Sequence, residues 1–347
     1  MPNLFSPLAL RGLTLRNRIM MSPMCMYSAD EDGQATDWHL AHYLGRAVGG
    51  VGLIVTEATA VEPRGRISAN DLGLWDDAQV EPLARIVRLV HAQDAAIGVQ
   101  LAHAGRKAFS PVRGHGPQQT IAPSPVPFDD GWQTPVELDR VEIDAIVDAW
   151  KSAAGRALAA GCDMVEIHGA HGYLAHQFLS PLSNRRGDEY GGPLANRMRF
   201  LLRVVAAVRQ VWPADRPVCV RVSATDWATG GLTPDEVVVV AQELKASGVD
   251  LVDCSSGGTL PVGPPVLRAG YQVPFAEQIR REAGIPTAAV GLITAPELAD
   301  EIVRNGRADL IALARVLLRQ PYWPLDAARV LGDDIAWPRQ YLRARLT

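Results

Sequence analysis

The strongest constraint in this sequence is a phrase repeated along it: a helical stretch ends on glycine and runs straight into a short, apolar, β-branched segment. AVGGVGLIV, AAGCDMVEI, ASGVDLVDC and RNGRADLIA are four copies. Glycine at the joint suits a helix C-cap that needs positive φ. Counting those entered without glycine, the apolar segments number eight: RIMMSPM (18–24), VGLIVTEA (51–58), AIGVQLAH (96–103), DMVEIHG (163–169), VCVRVSA (218–224), VDLVDCSS (249–256), PTAAVG (286–291) and ADLIALAR (308–315). Each ends in polar or glycine residues before a helical stretch. DEVVVVAQELKASG, with Pro234 and Asp235 in its first turn, is the clearest of these helices.

Near-continuous apolar strands alternating with amphipathic helices imply an α/β fold whose parallel sheet is covered on both faces. Eight units favour a closed (β/α)8 TIM barrel over an open doubly wound sheet. An open sheet would also carry GxGxxG after its first strand, where this chain has RIMMSPMCMY. The expectation is one barrel domain over residues 1–347, with LFSPLALRGLTLRN as an N-terminal strand–turn cap at its bottom. Two long βα loops are expected, 111–135 after strand three and 177–192 after strand four. The first is Pro/Gly-rich and reads as a lid or binding loop rather than an interdomain linker.

Composition narrows the function classes. A net charge of −4, without basic runs, argues against nucleic acid or an anionic membrane as partner. Cysteines 25, 162, 219 and 254 are too dispersed for a zinc ribbon or iron–sulfur cluster. Three of them sit in or beside apolar runs, which points to a reducing compartment. No signal-peptide pattern opens the chain, and no stretch approaches the roughly 18 apolar residues of a membrane span. A cytoplasmic location is the expectation.

In a barrel the chemistry belongs at the C-terminal ends of the strands. The polar residues there are Ser22, Cys25, Tyr27, Glu57, Gln100, His103, His168, His171, Tyr173, Arg221, Ser223, Ser255, Ser256 and Arg315. Donors dominate, which suits an electron-rich, planar, phosphorylated ligand. Gly291 and the Ala314–Arg315 step follow strands seven and eight, where barrels commonly hold phosphate. Arg221 is either a fixed cation in the mouth or the partner of Glu166 or Asp253. In EIHGAHGY the two histidines, three apart, are expected on one face of a helical turn. They read as a metal pair or as two hydrogen-bond donors, and no third ligand supports the metal.

SPMCMY (22–27), VQLAHAGRK (99–107), EIHGAHGYLAHQFLSPLSNRRGDEYGG (166–192) and GRADLIALAR (306–315) together resemble the old yellow enzyme family of flavin-dependent ene-reductases, and cysteine in the first motif resembles its thermophilic-like bacterial branch. The resemblance implies non-covalently bound FMN, reduced by NADPH or NADH, and small activated alkenes as substrates. It implies cofactor contacts from Ser22, Pro23, Met24, Cys25, Ala58, Gln100, Arg221, Gly291, Ala314 and Arg315. His168 and His171 would bind the substrate's oxygen, Tyr173 would donate a proton, and Cys25 would tune the flavin. Tyr27 and Ile67 would line the substrate pocket. Arg343, in the tail 337–347, would reach a neighbouring subunit of a homodimer or homotetramer. A flavin-based redox sensor, a quinone or xenobiotic reductase, a dienoyl-CoA reductase and a metal-dependent barrel hydrolase are the competing readings.

Overall fold

The computed structural model describes residues 1–108 and 119–345. Each apolar segment forms a strand: β1 (Ile19–Met21), β2 (Leu53–Ala60), β3 (Ala96–Ala102), β4 (Met164–Gly169), β5 (Val218–Ser223), β6 (Leu251–Ser255), β7 (Thr287–Ala289) and β8 (Leu310–Leu313). They pair in parallel in chain order, and β8 pairs back onto β1, closing the barrel. Closure leaves no open edge.

The outer ring is α1 (Asp37–Val48), α2 (Val80–His91), α3 (Arg140–Ala159), α4 (Arg199–Arg209), α5 (Pro234–Ala246), α6 (Val273–Ala283), α7 (Pro296–Arg304) and α8 (Trp323–Leu331). Helical spacing decides which face is buried. In α2, Leu83, Ile86, Val87 and Val90 are covered, while Glu81 and Arg88 pair in solvent. At the start of α5, Thr233 Oγ1 accepts from the Glu236 amide and Pro234 occupies the first turn. Such a cap is worth about 1 kcal/mol.

The period of two along each strand builds layers inside the barrel. Met164, Cys219 and Leu251 join Met20, Leu53 and Leu310 in an apolar floor. Leu10 and Leu15 enter that floor from a hairpin, Leu8–Leu10 with Leu13–Leu15, the expected cap. Two residues further along the same strands come Glu166, Arg221 and Asp253, and two further again His168, Ser223 and Ser255. The lumen therefore runs from apolar floor through a charged layer to a polar mouth.

Residues 111–118 of the expected lid lie outside the described residues. The rest of that loop is not wholly irregular, because Ile121–Ala122 pairs in parallel with Val136–Glu137. The buried Arg106 guanidinium ties it down, donating to the carbonyls of Val126 and Pro127 and to that of Thr259. Among the described residues no helix is long and apolar enough to cross a membrane.

Candidate active site

β4 delivers His168 at its end, and the chain then turns sharply rather than entering a helix. His171 has φ +59° and Gly172 φ +72°, and Tyr173 is the N-cap of a short helix, Leu174–Leu179. The histidines are therefore brought together across a turn, which corrects the helical face expected from their spacing. Their rings meet edge-on at 5.1 Å, and Tyr173 packs on His168 at 5.0 Å.

The turn has little freedom. Ser223 Oγ accepts from the His171 amide, and His176 Nδ1 accepts from the Gly172 amide. Lys107 Nζ donates to the carbonyls of His171 and Gly258 at 2.8 and 3.0 Å, and sits 5.1 Å from the Tyr173 ring. Burial, and then Arg106 beside it, pull the Lys107 ammonium down to about 8. His168 Nδ1 accepts from the Ala170 amide, which leaves its proton on Nε2, 3.4 Å from His171 Nδ1. His171 Nε2 then donates to Ser255 Oγ at 2.7 Å. Burial foremost, then Arg221, hold both imidazoles well below their ordinary range, so they are neutral donors near pH 7. The two N–H groups do not aim at one point here.

Opposite this turn, Cys25 and Tyr27 pack with Tyr173 against Ala58, Ile67, Ala102, Ala104 and Ala108. Their segment is positioned from outside the barrel. The pairing of β2 with β3 skips Glu57, a bulge between Thr56 and Ala58. A bulge re-aims a side chain, and this one puts the Glu57 carboxylate against α1. Oε2 accepts from the Met26 amide at 2.9 Å, and Oε1 accepts from Tyr43 at 3.1 Å and lies 3.3 Å from His39 Nε2. Tyr27, at φ +52°, follows in a conformation that a side chain rarely adopts unless held.

In the charged layer Arg221 Nε lies 3.0 Å from Asp253 Oδ2, so of the two pairings weighed for it the Asp253 pair forms. Gln100 Nε2 donates to Glu166 Oε1 at 2.7 Å. Beyond β7 and β8, a cavity of about 160 Å³ is lined by Gly291, Ala314, Arg315, Gln272 and Arg319 among others. Among the described residues no three His, Cys, Asp or Glu side chains group to hold a metal.

The profile of the NADH:flavin oxidoreductase / NADH oxidase family matches residues 3–334. The chain belongs to that family. It is 54% identical over 345 residues to an NADPH dehydrogenase of Listeria monocytogenes serotype 4a (strain HCC23), covering 99% of each chain. Morphinone reductase in complex with tetrahydroNAD superposes with a TM-score of 0.82 at 31% identity, covering 97% of this chain and 93% of that one. A 2-naphthoyl-CoA reductase shares the fold with a TM-score of 0.87 at 24% identity, and this chain spans about half its length, 52%.

As an old yellow enzyme this protein is a flavin-dependent oxidoreductase, with FMN as cofactor and a reduced nicotinamide as electron donor. The residues present fit FMN. Ser22 Oγ is buried with no hydrogen-bond partner, a free polar atom at the end of β1. Gly291 has φ +131°, and a Cβ there would meet the Gln272 amide nitrogen at 3.1 Å, so the backbone stays open over a cavity with Arg315 and Arg319 in its wall. Pro23 and Met24 continue from Ser22 toward Cys25, half-buried. Arg343 is not among the residues gathered at the mouth. It is exposed in a tail turn, Arg339–Ala344, that packs through Tyr341 on Tyr322.

Lys107 and His176 with Asp226 have no strand-end signal in the sequence, and Glu166 and Asp253 enter there only as alternative partners of Arg221, not as two carboxylates of one layer. For the pair a signal existed: charged residues at inward parity within apolar strands. His103 was a strand-end candidate, but it pairs with Glu62 at 2.8 Å and holds the loop after β3.

Proposed function

We propose that this old yellow enzyme is an ene-reductase acting on α,β-unsaturated carbonyl or nitro compounds. The observation that carries this is the gathering of neutral His168 and His171, Tyr173, Cys25, Tyr27 and Ile67 at one mouth with an apolar wall. Bound FMN would supply the hydride chemistry between NAD(P)H and the β-carbon of the alkene.

Charge then grows on the substrate's carbonyl or nitro oxygen. His168 and His171 donate to that oxygen, each worth on the order of 2–4 kcal/mol by analogy with oxyanion donors. Because they are neutral, they hold the oxygen without transferring a proton to it. Tyr173, a phenol with an ordinary pKa of about 10, donates its proton to the α-carbon. Cys25 and the segment from Ser22 face the cofactor, Gln100 and Ala58 its ring edge, and Arg221 the side where reduction adds charge. Gly291, Ala314 and Arg315 hold its phosphate. Arg343 is assigned to a neighbouring subunit's mouth.

The test is an anaerobic experiment in two halves. NADPH bleaches the yellow protein, and 2-cyclohexenone restores its colour. Tyr173→Phe is expected to leave bleaching unchanged and slow recolouring by about 100-fold or more, the usual worth of a general acid. Equal recolouring rates in both proteins would overturn the assignment.

A further inference from the structure

Glu166, Arg221 and Asp253 form the middle layer of the lumen, and each is buried. One guanidinium, paired with Asp253 and acting on Glu166 through its charge alone, serves two carboxylates, so full ionisation would leave an uncompensated negative charge in a buried layer. That costs several kcal/mol, and the usual escape is to bind a proton. The hydrogen bonding points the same way. Neither Asp253 oxygen accepts a well-formed hydrogen bond, and Arg221 Nε, although 3.0 Å from Oδ2, is not aligned to donate. Glu166 accepts from Gln100 at 2.7 Å and from the weak Cys219 thiol donor at 3.3 Å.

We propose that Glu166 and Asp253 share one proton beneath Arg221, and that this proton site responds to the oxidation state of FMN. The inference rests on the reading that Arg221 faces the cofactor. Both carboxylates act through Arg221 and are positioning residues. Two electrons and one proton enter the cofactor on reduction, and the added charge draws on Arg221. The carboxylate pair then loses part of its compensation and binds a proton more tightly. Where the pair is ionised in the oxidised protein, reduction therefore takes a second proton from solvent into it.

Among the groups packed on this layer no other titrates in this range. Lys107, pulled down to about 8, sits above it on the His171 turn, and a break that persists in Glu166→Gln would belong to Lys107 instead. β3 contributes the neutral Gln100. On β4, His168 is already neutral. β5 contributes Arg221 itself and Cys219, whose thiol burial pushes well up, and β6 contributes Cys254, pushed up in the same way. β7, Thr287–Ala289, brings no ionisable side chain. Burial, then the adjacent Asp253, push Glu166 up to about 8, and burial raises Asp253 with only partial relief from Arg221.

The experiment is the reduction potential of the FMN-loaded protein, measured against reference dyes from pH 6 to pH 9.5. For the native protein the dependence on pH is expected to steepen about twofold above about pH 8. Glu166→Gln should keep the shallower slope throughout. Asp253→Asn should move the break to lower pH, because Glu166 then has Arg221 to itself. A single slope in the native protein, or a break that both variants leave in place, overturns the proposal. Should either variant fail to fold, redox-difference infrared spectra of native protein at pH 9 decide. A carboxylic-acid carbonyl band must appear on reduction and shift with carbon-13 glutamate or aspartate, and its absence overturns the proposal. Protein that takes up no FMN defeats the cofactor reading itself, whereas yellow protein with one slope defeats only the proton site.

Discussion

Asp226 and Asp253 are the same residue type, both without solvent contact, near the same mouth, and their protonation is driven in opposite directions. Each has one oxygen facing a basic side chain: Asp226 Oδ1 lies 3.1 Å from His176 Nε2, and Asp253 Oδ2 lies 3.0 Å from Arg221 Nε. The difference is at the other oxygen. Asp226 Oδ2 accepts from Ser180 Oγ at 2.6 Å and from the Leu232 amide at 2.8 Å, whereas Asp253 Oδ1 accepts from nothing. Burial works to raise Asp226, but His176, Ser180 and Leu232 outweigh it and hold the carboxyl below its usual range. At Asp253 burial prevails over Arg221. A nearby cation is thus a weaker guarantee of a buried carboxylate than a set of aligned donors. Asp226 is built to stay charged and hold the His171 turn through His176. Asp253 is built to remain undecided.

The largest expected effect separates the two sites by stability. Asp226→Ala removes the acceptor of the Ser180 and Leu232 hydrogen bonds and the ion-pair partner of His176, and should cost about 3–5 kcal/mol in urea unfolding, as for one half of a buried pair. Asp253→Asn should cost about 1 kcal/mol, since Glu166 remains to compensate Arg221. Equal losses would break the comparison.

The two sites also predict opposite pH limbs. Asp226 is depressed in the folded state, so its contribution is present above the unfolded aspartate value and lost as pH falls through the folded one. Glu166 is raised to about 8, so between about 4.5 and 8 the folded state binds the proton and the unfolded state does not. Stability from this group therefore falls as pH rises across that window, by at most about 1.4 kcal/mol per pH unit. Unfolding midpoints of the FMN-loaded protein between pH 5 and 8 should decline less steeply in Glu166→Gln. A steeper decline would reverse the assignment.

The smallest effect sharpens the comparison. Cys219→Ser replaces a weak thiol donor to Glu166 Oε2 with a hydroxyl, giving Glu166 a little of what Asp226 has. The redox break should move down by less than about one pH unit, with stability changed by about 0.5 kcal/mol.

The barrel was legible because a parallel strand buried on both faces has to be apolar throughout, and eight such runs sit in VGLIVTEA, AIGVQLAH and their equivalents. Strand ends then pointed to His168, Arg221 and Gly291 without further information. Less visible was anything set by the path of a loop. The spacing of His168 and His171 suggested a helical face, but Gly172 and the left-handed His171 make a turn instead, fixed by Ser223, His176 and Lys107 from three other segments. The Glu57 bulge breaks the alternation from which facing is read, so its side chain's destination was hidden. Apart from His176, four residues beyond Gly172, these contacts join residues far apart in the chain, and spacing carries no trace of them.

The bulge has a mechanical consequence. The Met26 amide rests on Glu57, and Glu57 rests on Tyr43 and His39 of α1. The turn carrying Cys25 thus belongs to the outer shell of the molecule although it faces the lumen. A tilt of α1, provoked from the outside of the barrel, is therefore expected to reach that turn through Glu57.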